Sequence, residues 1–514
     1  MNAAAVSPAD GGTVAHRGLI TLCVILASVM QALDNTIANV ALPRIQGSLS
    51  STQDQMSWVL TSYIIAAAIM TPLCGWLAGR YGRRRLFIGS VAGFTITSAL
   101  CGVAQSLPEI VIARLLQGLS GAALIPMSQA VLLDINPPER HARAMALWIM
   151  AITVGPILGP VLGGWLTEYY SWRWVFFINV PVGILAYLGI VAYMPDTPRR
   201  QTGFDFFGFA ALSLGIGALQ MMLDRGQLLD WFNSSEICLE ALIAGLSLYL
   251  FTIHMLTTRT HPFVSPVIFR DRNFVAGILF IFIVGLVLFA TLALLPPMLQ
   301  SLLEYPIVLT GVITAPRGLG MLLTMFVVNR LTKWLDMRAI IGLGFSLTAV
   351  SLWQMSGFSL DMDYWPVVWS GFLQGIGTGL VFVPLTTATF ATLPSQYRNE
   401  GTALFSLIRN LGSSVGISAV FALLTRNAQV LHAQLAEHVS PYSQALQFQA
   451  PQALSTAQGL LGLNGRVSHQ AEMIAYTNDF RLMMVLTLCA LPLIALMRGA
   501  QRRAAPQAEA MVME

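Results

Sequence analysis

AMALWIMAITVGPILGPVLGGWL, residues 144–166, is the stretch on which the reading of this chain turns. It is long enough and apolar enough for a buried helix, yet four glycines and two prolines stand between Gly155 and Gly164. In water each glycine costs a helix about 1 kcal/mol relative to alanine and each proline about 3. In lipid the balance changes. Neighbouring helices re-satisfy the backbone groups that a proline frees, and small residues let helices approach closely. Gly155, Gly159 and Gly163 recur at i, i+4 and i+8 and form one smooth face, with Pro156, Pro160 and Gly164 on the adjacent one.

The whole chain supports a membrane setting. Of its 514 residues 55% are hydrophobic and 10% are charged, with a mean hydropathy of +0.68. A soluble domain averages about 25% charged residues, and a core large enough for this apolar content exceeds what a single soluble domain sustains. No cleavable signal sequence is expected, because the first apolar run is long enough to span. The cysteines at 23, 74, 101, 238 and 489 have no metal or dithiol spacing and read as small hydrophobes. A net charge of +4 gives no reason to expect nucleic acid as a partner.

Apolar runs of membrane-spanning length fall near 18–40, 56–78, 86–105, 109–132, 144–166, 174–194, 205–224, 237–257, 274–297, 307–329, 339–356, 366–391, 403–424 and 480–497. Fourteen spans are thus predicted, numbered here 1 to 14. Basic residues mark the cytoplasmic loops. With a cytoplasmic N-terminus, RYGRRR (80–85), Arg140, Arg143, Arg199, Arg200, Arg259, Arg270, Arg272, Arg330, Lys333, Arg338 and Arg398 all fall inside. The acids Asp230, Glu236, Glu304, Asp361 and Asp363 fall outside. An even count puts both termini in the cytoplasm.

The chain also repeats. LLQGLSGAALIP (115–126) resembles FLQGIGTGLVFVP (372–384), and ALWIMAITVGPILG (146–159) aligns with ALFSLIRNLGSSVG (403–416), both at an offset of 257 residues. Spans 4 and 5 pair with 12 and 13, a shift of eight. The predicted organisation is a short N-terminal segment (1–17), a six-helix bundle (18–194), an inserted helix pair (205–257), a second six-helix bundle (274–497) and a cytoplasmic tail (498–514). The second bundle contains one long outer loop, 425–478. VLHAQLAEHV and PQALSTAQGLLGL in that loop read as short amphipathic helices. Parallel six-helix repeats with substrate between them are a known transporter architecture.

Ionisable residues inside spans are functional candidates. Asp34 in span 1 and Arg114 in span 4 lie at similar depth in the outer half and can pair, which makes Asp34 the first choice as proton carrier. Asn35, Asn39, Gln117, Arg317, Gln374 and Arg409 are further polar residues expected on a substrate cavity, the two arginines favouring anionic or weakly acidic substrates. Asp224 is expected to pair with its neighbour Arg225, and His254 to sit at the interface. Each has a plainer structural reading: a static ion pair for Asp34–Arg114, carbonyl partners for the arginines, tight packing for the glycine face.

LDNTIANVALP (33–43), GWLAGRYGRRRL (75–86), RLLQGLSGAALIP (114–126) and GPILGPVLGG (155–164) together resemble the signature motifs of the major facilitator superfamily, in its fourteen-span drug:proton antiporter branch. WRWVFFINVPVG (172–183), QMMLDRGQLLDWF (220–232) and VFVPLTTATFATLP (381–394) are similar to the multidrug exporters of that branch. The resemblance implies a proton-driven exporter without cofactor or metal, working by alternating access on small hydrophobic substrates. It implies an inner membrane of a Gram-negative bacterium, lipid surroundings, a periplasmic membrane-fusion adaptor and an outer-membrane channel. The alternative is a dedicated exporter of one metabolite or siderophore. It makes Gly155, Pro156, Gly159, Pro160, Gly163 and Gly164 the antiporter motif, its glycine face packed on span 10. It makes Gly75, Arg80, Gly82, Arg83 and Arg84 a cytoplasmic gate. The acid expected after GWLA is Gly79 here, which puts the acidic partner of that gate in question. No ATP-binding loop or nucleophile constellation points to an enzyme.

Overall fold

The computed structural model describes residues 16–51, 53–137, 140–197, 203–258, 262–439 and 456–497. The expected tail 498–514, the N-terminal segment before His16 and the loop bases Arg199, Arg200 and Arg259 lie outside the described residues.

Each predicted span coincides with helix. Spans 1 to 3 are α1 (Arg17–Leu49), α2 (Gln53–Tyr81) and α3 (Arg83–Val103). Span 4 is α4 (Leu107–Gly121) followed by α5 (Leu124–Ile135), span 5 is α6 (His141–Tyr169), and span 6 is α7 (Trp174–Phe177) with α8 (Asn179–Tyr193). The inserted pair is α9 (Phe206–Arg225) and α10 (Ser235–Thr257). The second half begins with α11 (Arg272–Pro297), α12 (Ile307–Thr314) and α13 (Pro316–Trp334). It continues with α14 (Met337–Met355), α15 (Trp365–Ala391), α16 (Arg398–Glu437) and α17 (Ala457–Ala490). Twelve described helices are long and apolar enough, by length and composition, to cross a membrane. The chain is an all-helical multi-pass membrane protein.

Local chemistry sets several boundaries. Asp205, Asp271 and Thr456 precede α9, α11 and α17 and accept the orphan N–H groups of Gly208, Asn273 and Gly459 at 2.9, 2.9 and 3.1 Å. Span 10 divides at Ala315 because Pro316 has no N–H to continue the ladder of α12. Pro296 and Pro297 end α11 in a π-turn over Met298–Leu302.

One apolar core draws on both halves and includes Phe87, Trp148, Phe274, Phe345, Phe390 and Phe405. Two others are each confined to one half, around Trp172 and Phe176 in the first and around Phe358 and Phe480 in the second. Leu185, Leu242, Val312, Phe326 and Trp353 are exposed, as lipid-facing side chains are. The helix α9 packs on α2 and on α16, one from each half.

The outer segment 425–478 differs from expectation. Among the described residues it is helical, as expected of VLHAQLAEHV, but the helix is part of the spans and not separate from them. Residues 426–437 continue α16 without a break, and α17 begins at Ala457, so the two spans extend outward as a helical hairpin. His432 of one arm meets Asn464 of the other at 3.1 Å. Residues 440–455, which include the start of PQALSTAQGLLGL, lie outside the described residues.

Candidate functional site

Asp34 is fully buried on α1, and the first half converges on it. Arg114 Nη1 donates to its Oδ2 at 2.6 Å. Its Oδ1 accepts from Gln117 Nε2 at 3.0 Å and from Asn179 Nδ2 at 2.9 Å. Arg114 further donates to Gln117 Oε1 at 2.8 Å and to the Val59 carbonyl at 3.1 Å, with the Tyr63 ring 4.3 Å from its guanidinium carbon. Asn179 also donates to Ser98 Oγ, which in turn donates to the Phe176 carbonyl. Arg114 and Gln117 sit three apart on α4, so one helical face presents both. A carboxylate this enclosed is tolerated only because charge and hydrogen bonds meet it on several sides.

Gln117, expected on a cavity wall, is instead buried within this cluster. Asn35 is exposed beside it, and the side chains of Asn39, Pro156 and Pro160 lie outside the described residues. Sequence reasoning missed Asn179 and Ser98. The signal for Asn179 was a lone amide in an otherwise apolar WVFFINVPVG.

In the second half Arg317 and Gln374 are buried and paired through Arg317 Nη2 and Gln374 Oε1. Gln374 Nε2 donates to Thr291 Oγ1 at 3.3 Å. Arg409 is buried on α16, its Nη2 3.5 Å from Asn410 Oδ1 and its Nε without a hydrogen-bond partner among the described residues. Neither arginine lies on an open surface.

Gly155 and Gly159 of the α6 glycine face pack on α1, not on span 10. A Cβ on Gly155 would stand 2.6 Å from the carbonyl carbon of Ala32, and one on Gly159 would stand 2.9 Å from Thr36 Cβ, both on α1 of the same half. Thr36 Oγ1 donates to the Gly155 carbonyl at 3.1 Å across that contact. The contact of α6 with span 10 uses a glycine of the other helix, Gly311 of α12, set against Val161. The smooth face is needed where α1, carrying Asp34, lies backbone to backbone on α6. Thr167 Oγ1 donates to the carbonyls of Gly163 and Gly164, closing the outer end of α6.

At the end of the bundle that carries the basic loops, the halves are tied together. Gly75 of α2 packs on the start of α16, where a Cβ would stand 3.2 Å from Glu400 Cα. Gly82 has a φ of 88° at the turn into α3, a conformation that side chains resist. That turn delivers Arg83, whose Nε donates to Asn399 Oδ1 at 2.6 Å and whose Nη1 pairs with Asp134. Arg398 Nη1 reaches the other oxygen of Asp134 at 3.0 Å. Asp134, at the end of span 4, thus supplies the acid that Gly79 does not. Arg84 pairs with Asp196 within the first half, and the Arg80 guanidinium lies over the Trp76 ring.

One pairing differs from expectation near the inserted helices. Arg225 pairs with Glu236, not with Asp224, which accepts from Gln220 at 3.1 Å. His254 meets Asp205 at 2.9 Å.

The profile of the Major Facilitator Superfamily matches residues 24–417. The fatty acid resistance protein FarB of Neisseria gonorrhoeae is 37% identical over 92% of this chain and 95% of its own length. The multidrug export protein EmrB of Escherichia coli K12 is 38% identical over 83% of each chain. Among solved structures, the proton:xylose symporter XylE matches with a TM-score of 0.60 at 12% identity, over 95% of this chain and all of that one. The human organic anion transporter MFSD10 matches at 0.59 and 14% identity, over 92% of this chain and 99% of that one.

Proposed function

The chain belongs to the major facilitator superfamily, and from that premise we propose that it is a proton-coupled exporter of amphipathic toxic compounds. The observation that carries this reading is the Asp34–Arg114 pair, buried at 0% and 1% side-chain exposure with Gln117 and Asn179 on the same carboxylate. A lone ion pair in a membrane core is expensive to keep. It becomes useful if protonation of Asp34 releases Arg114, because the four helices that meet there then gain a second arrangement. Fourteen spans with both termini in the cytoplasm are the topology that the apolar runs and the basic loops support, with twelve described helices long and apolar enough to cross. Asp134 then closes the cytoplasmic end across the halves, as the shared apolar core also does.

Multidrug export is the reading favoured by the EmrB relatives. The FarB relative supports the second reading, a pump dedicated to a narrower class. The outer hairpin of α16 and α17 supports a docking role for a periplasmic adaptor feeding an outer-membrane channel, and with it a Gram-negative inner membrane. The test is accumulation of a panel of fluorescent neutral, cationic and anionic compounds in everted vesicles from cells lacking their own pumps. Accumulation driven by an acid lumen and abolished by an ionophore supports the proposal. Accumulation indifferent to the proton gradient overturns it.

A further inference from the structure

Close helix contacts allow the two halves to be compared residue by residue. In the first half a Cβ on Gly118 would strike the Tyr63 carbonyl oxygen; in the second, a Cβ on Gly375 would strike that of Arg317. Gly118 and Gly375 stand 257 residues apart, as do Gln117 and Gln374. Tyr63 of span 2 and Arg317 of span 10 therefore occupy the same place in the two repeats. The same offset relates Asp34 to Thr291. Gln117 donates to Asp34 at 3.0 Å, and Gln374 donates to Thr291 at 3.3 Å. The offset takes Arg114 to Gly371, where a Cβ would stand 3.9 Å from Arg317 Cβ. The second half has thus moved its guanidinium from span 12 to span 10 and kept the glutamine contact.

One group is not kept. The first half answers its guanidinium with the carboxylate of Asp34; the second has a hydroxyl there. Arg317 is 6% exposed, and among the described residues no carboxylate is in ion-pair contact with it. A buried guanidinium met only by neutral groups is costly, and a planar carboxylate is the partner that its paired donors fit. Gln374 also borders a small cavity of about 20 Å³ lined by Val284, Leu288, Phe345 and Val381 together with Thr348, Thr378 and Thr487, so a ligand tail enters only when this part of the half opens.

We propose that Arg317, Gln374 and Thr291 bind the carboxylate headgroup of an amphipathic substrate, which takes the place that Asp34 fills in the first half. The inference rests on the export reading and adds a substrate class to it.

The test measures binding of radiolabelled decanoate and of its neutral methyl ester to the full-length protein in lipid nanodiscs, with empty nanodiscs subtracted. The wild type should bind decanoate at least tenfold more tightly than the ester. Arg317→Gln should bring decanoate down to the level of the ester. Thr291→Asp supplies the absent acid from within and should do the same, with an unchanged melting temperature and monodisperse elution reporting an intact fold. If Arg317→Gln does not fold, Thr291→Asp carries the test. A wild type without preference for the carboxylate, or a folded variant that keeps the preference, overturns the proposal. Proton-driven export of neutral compounds by the same preparation reports on the export reading separately. Export without carboxylate preference defeats this inference alone.

Discussion

Arg398 Nη1 lies 3.0 Å from Asp134 Oδ1, joining the second half of the molecule to the first, while Arg83 holds the other carboxylate oxygen. The three side chains are 11 to 31% exposed, so the network is partly screened and its contribution modest. Its position matters more than its strength, because it bridges the halves at one end only. Asp134→Asn should weaken closure there. Spin labels at Tyr81 and Ala391, both exposed at that end, should show a broader and longer distance distribution than in the parent protein. An unchanged distribution would mean that the apolar core alone holds that end shut.

The α1–α6 contact predicts a loss of stability more than a loss of coupling. Gly159→Leu places a side chain into Thr36 and the Ile37 backbone of the same half. Overpacking of this kind costs about 1–3 kcal/mol. Expression and melting temperature in detergent should both fall, and transport per folded molecule should fall less. Normal melting with lost transport would show that this face moves during the cycle.

Asp205 gives a pH signature outside the membrane. Burial alone pushes its carboxyl up, but hydrogen bonds from the Gly208 and Phe263 amides and from His254 outweigh that and hold it below the usual carboxylate range. A group whose pKa is lowered by folding stabilises fully above its unfolded value, and loses that contribution as pH falls through the folded one. Asp205→Asn should therefore melt lower than wild type at neutral pH, with the gap closing in acid. A gap that is constant or widens toward low pH would contradict this assignment.

The helices were legible because lipid imposes long apolar runs, and each predicted run is helical. Asp34 and Arg114 were legible because charge in such a run is rare. Partners set by packing were not. Gly155 and Gly159 declare a close approach, but nothing in their spacing says whether α1 or span 10 provides the other surface. Asp134 sits at the end of a span, where an acid is unremarkable, and only the unusual Gly79 hinted that an acid must come from elsewhere. The internal repeat was visible through Gln117 and Gln374, yet the move of its arginine from span 12 to span 10 was not, because only packing brings Arg317 against Gln374. The hairpin of α16 and α17 was misread because its polar helices carry no membrane signal.

In the proposed export cycle Asp34 carries the proton that drives export. The most direct measurement compares wild type with Asp34→Asn in proteoliposomes, following lumenal pH and substrate accumulation together under an imposed acid-inside gradient. The asparagine keeps hydrogen-bonding capacity toward Gln117 and Asn179 but cannot exchange a proton. Wild type should accumulate substrate uphill and release lumenal protons as it does so. Asp34→Asn should do neither, while still exchanging labelled for unlabelled substrate down a gradient. Uphill accumulation by Asp34→Asn at the wild-type rate would contradict the account.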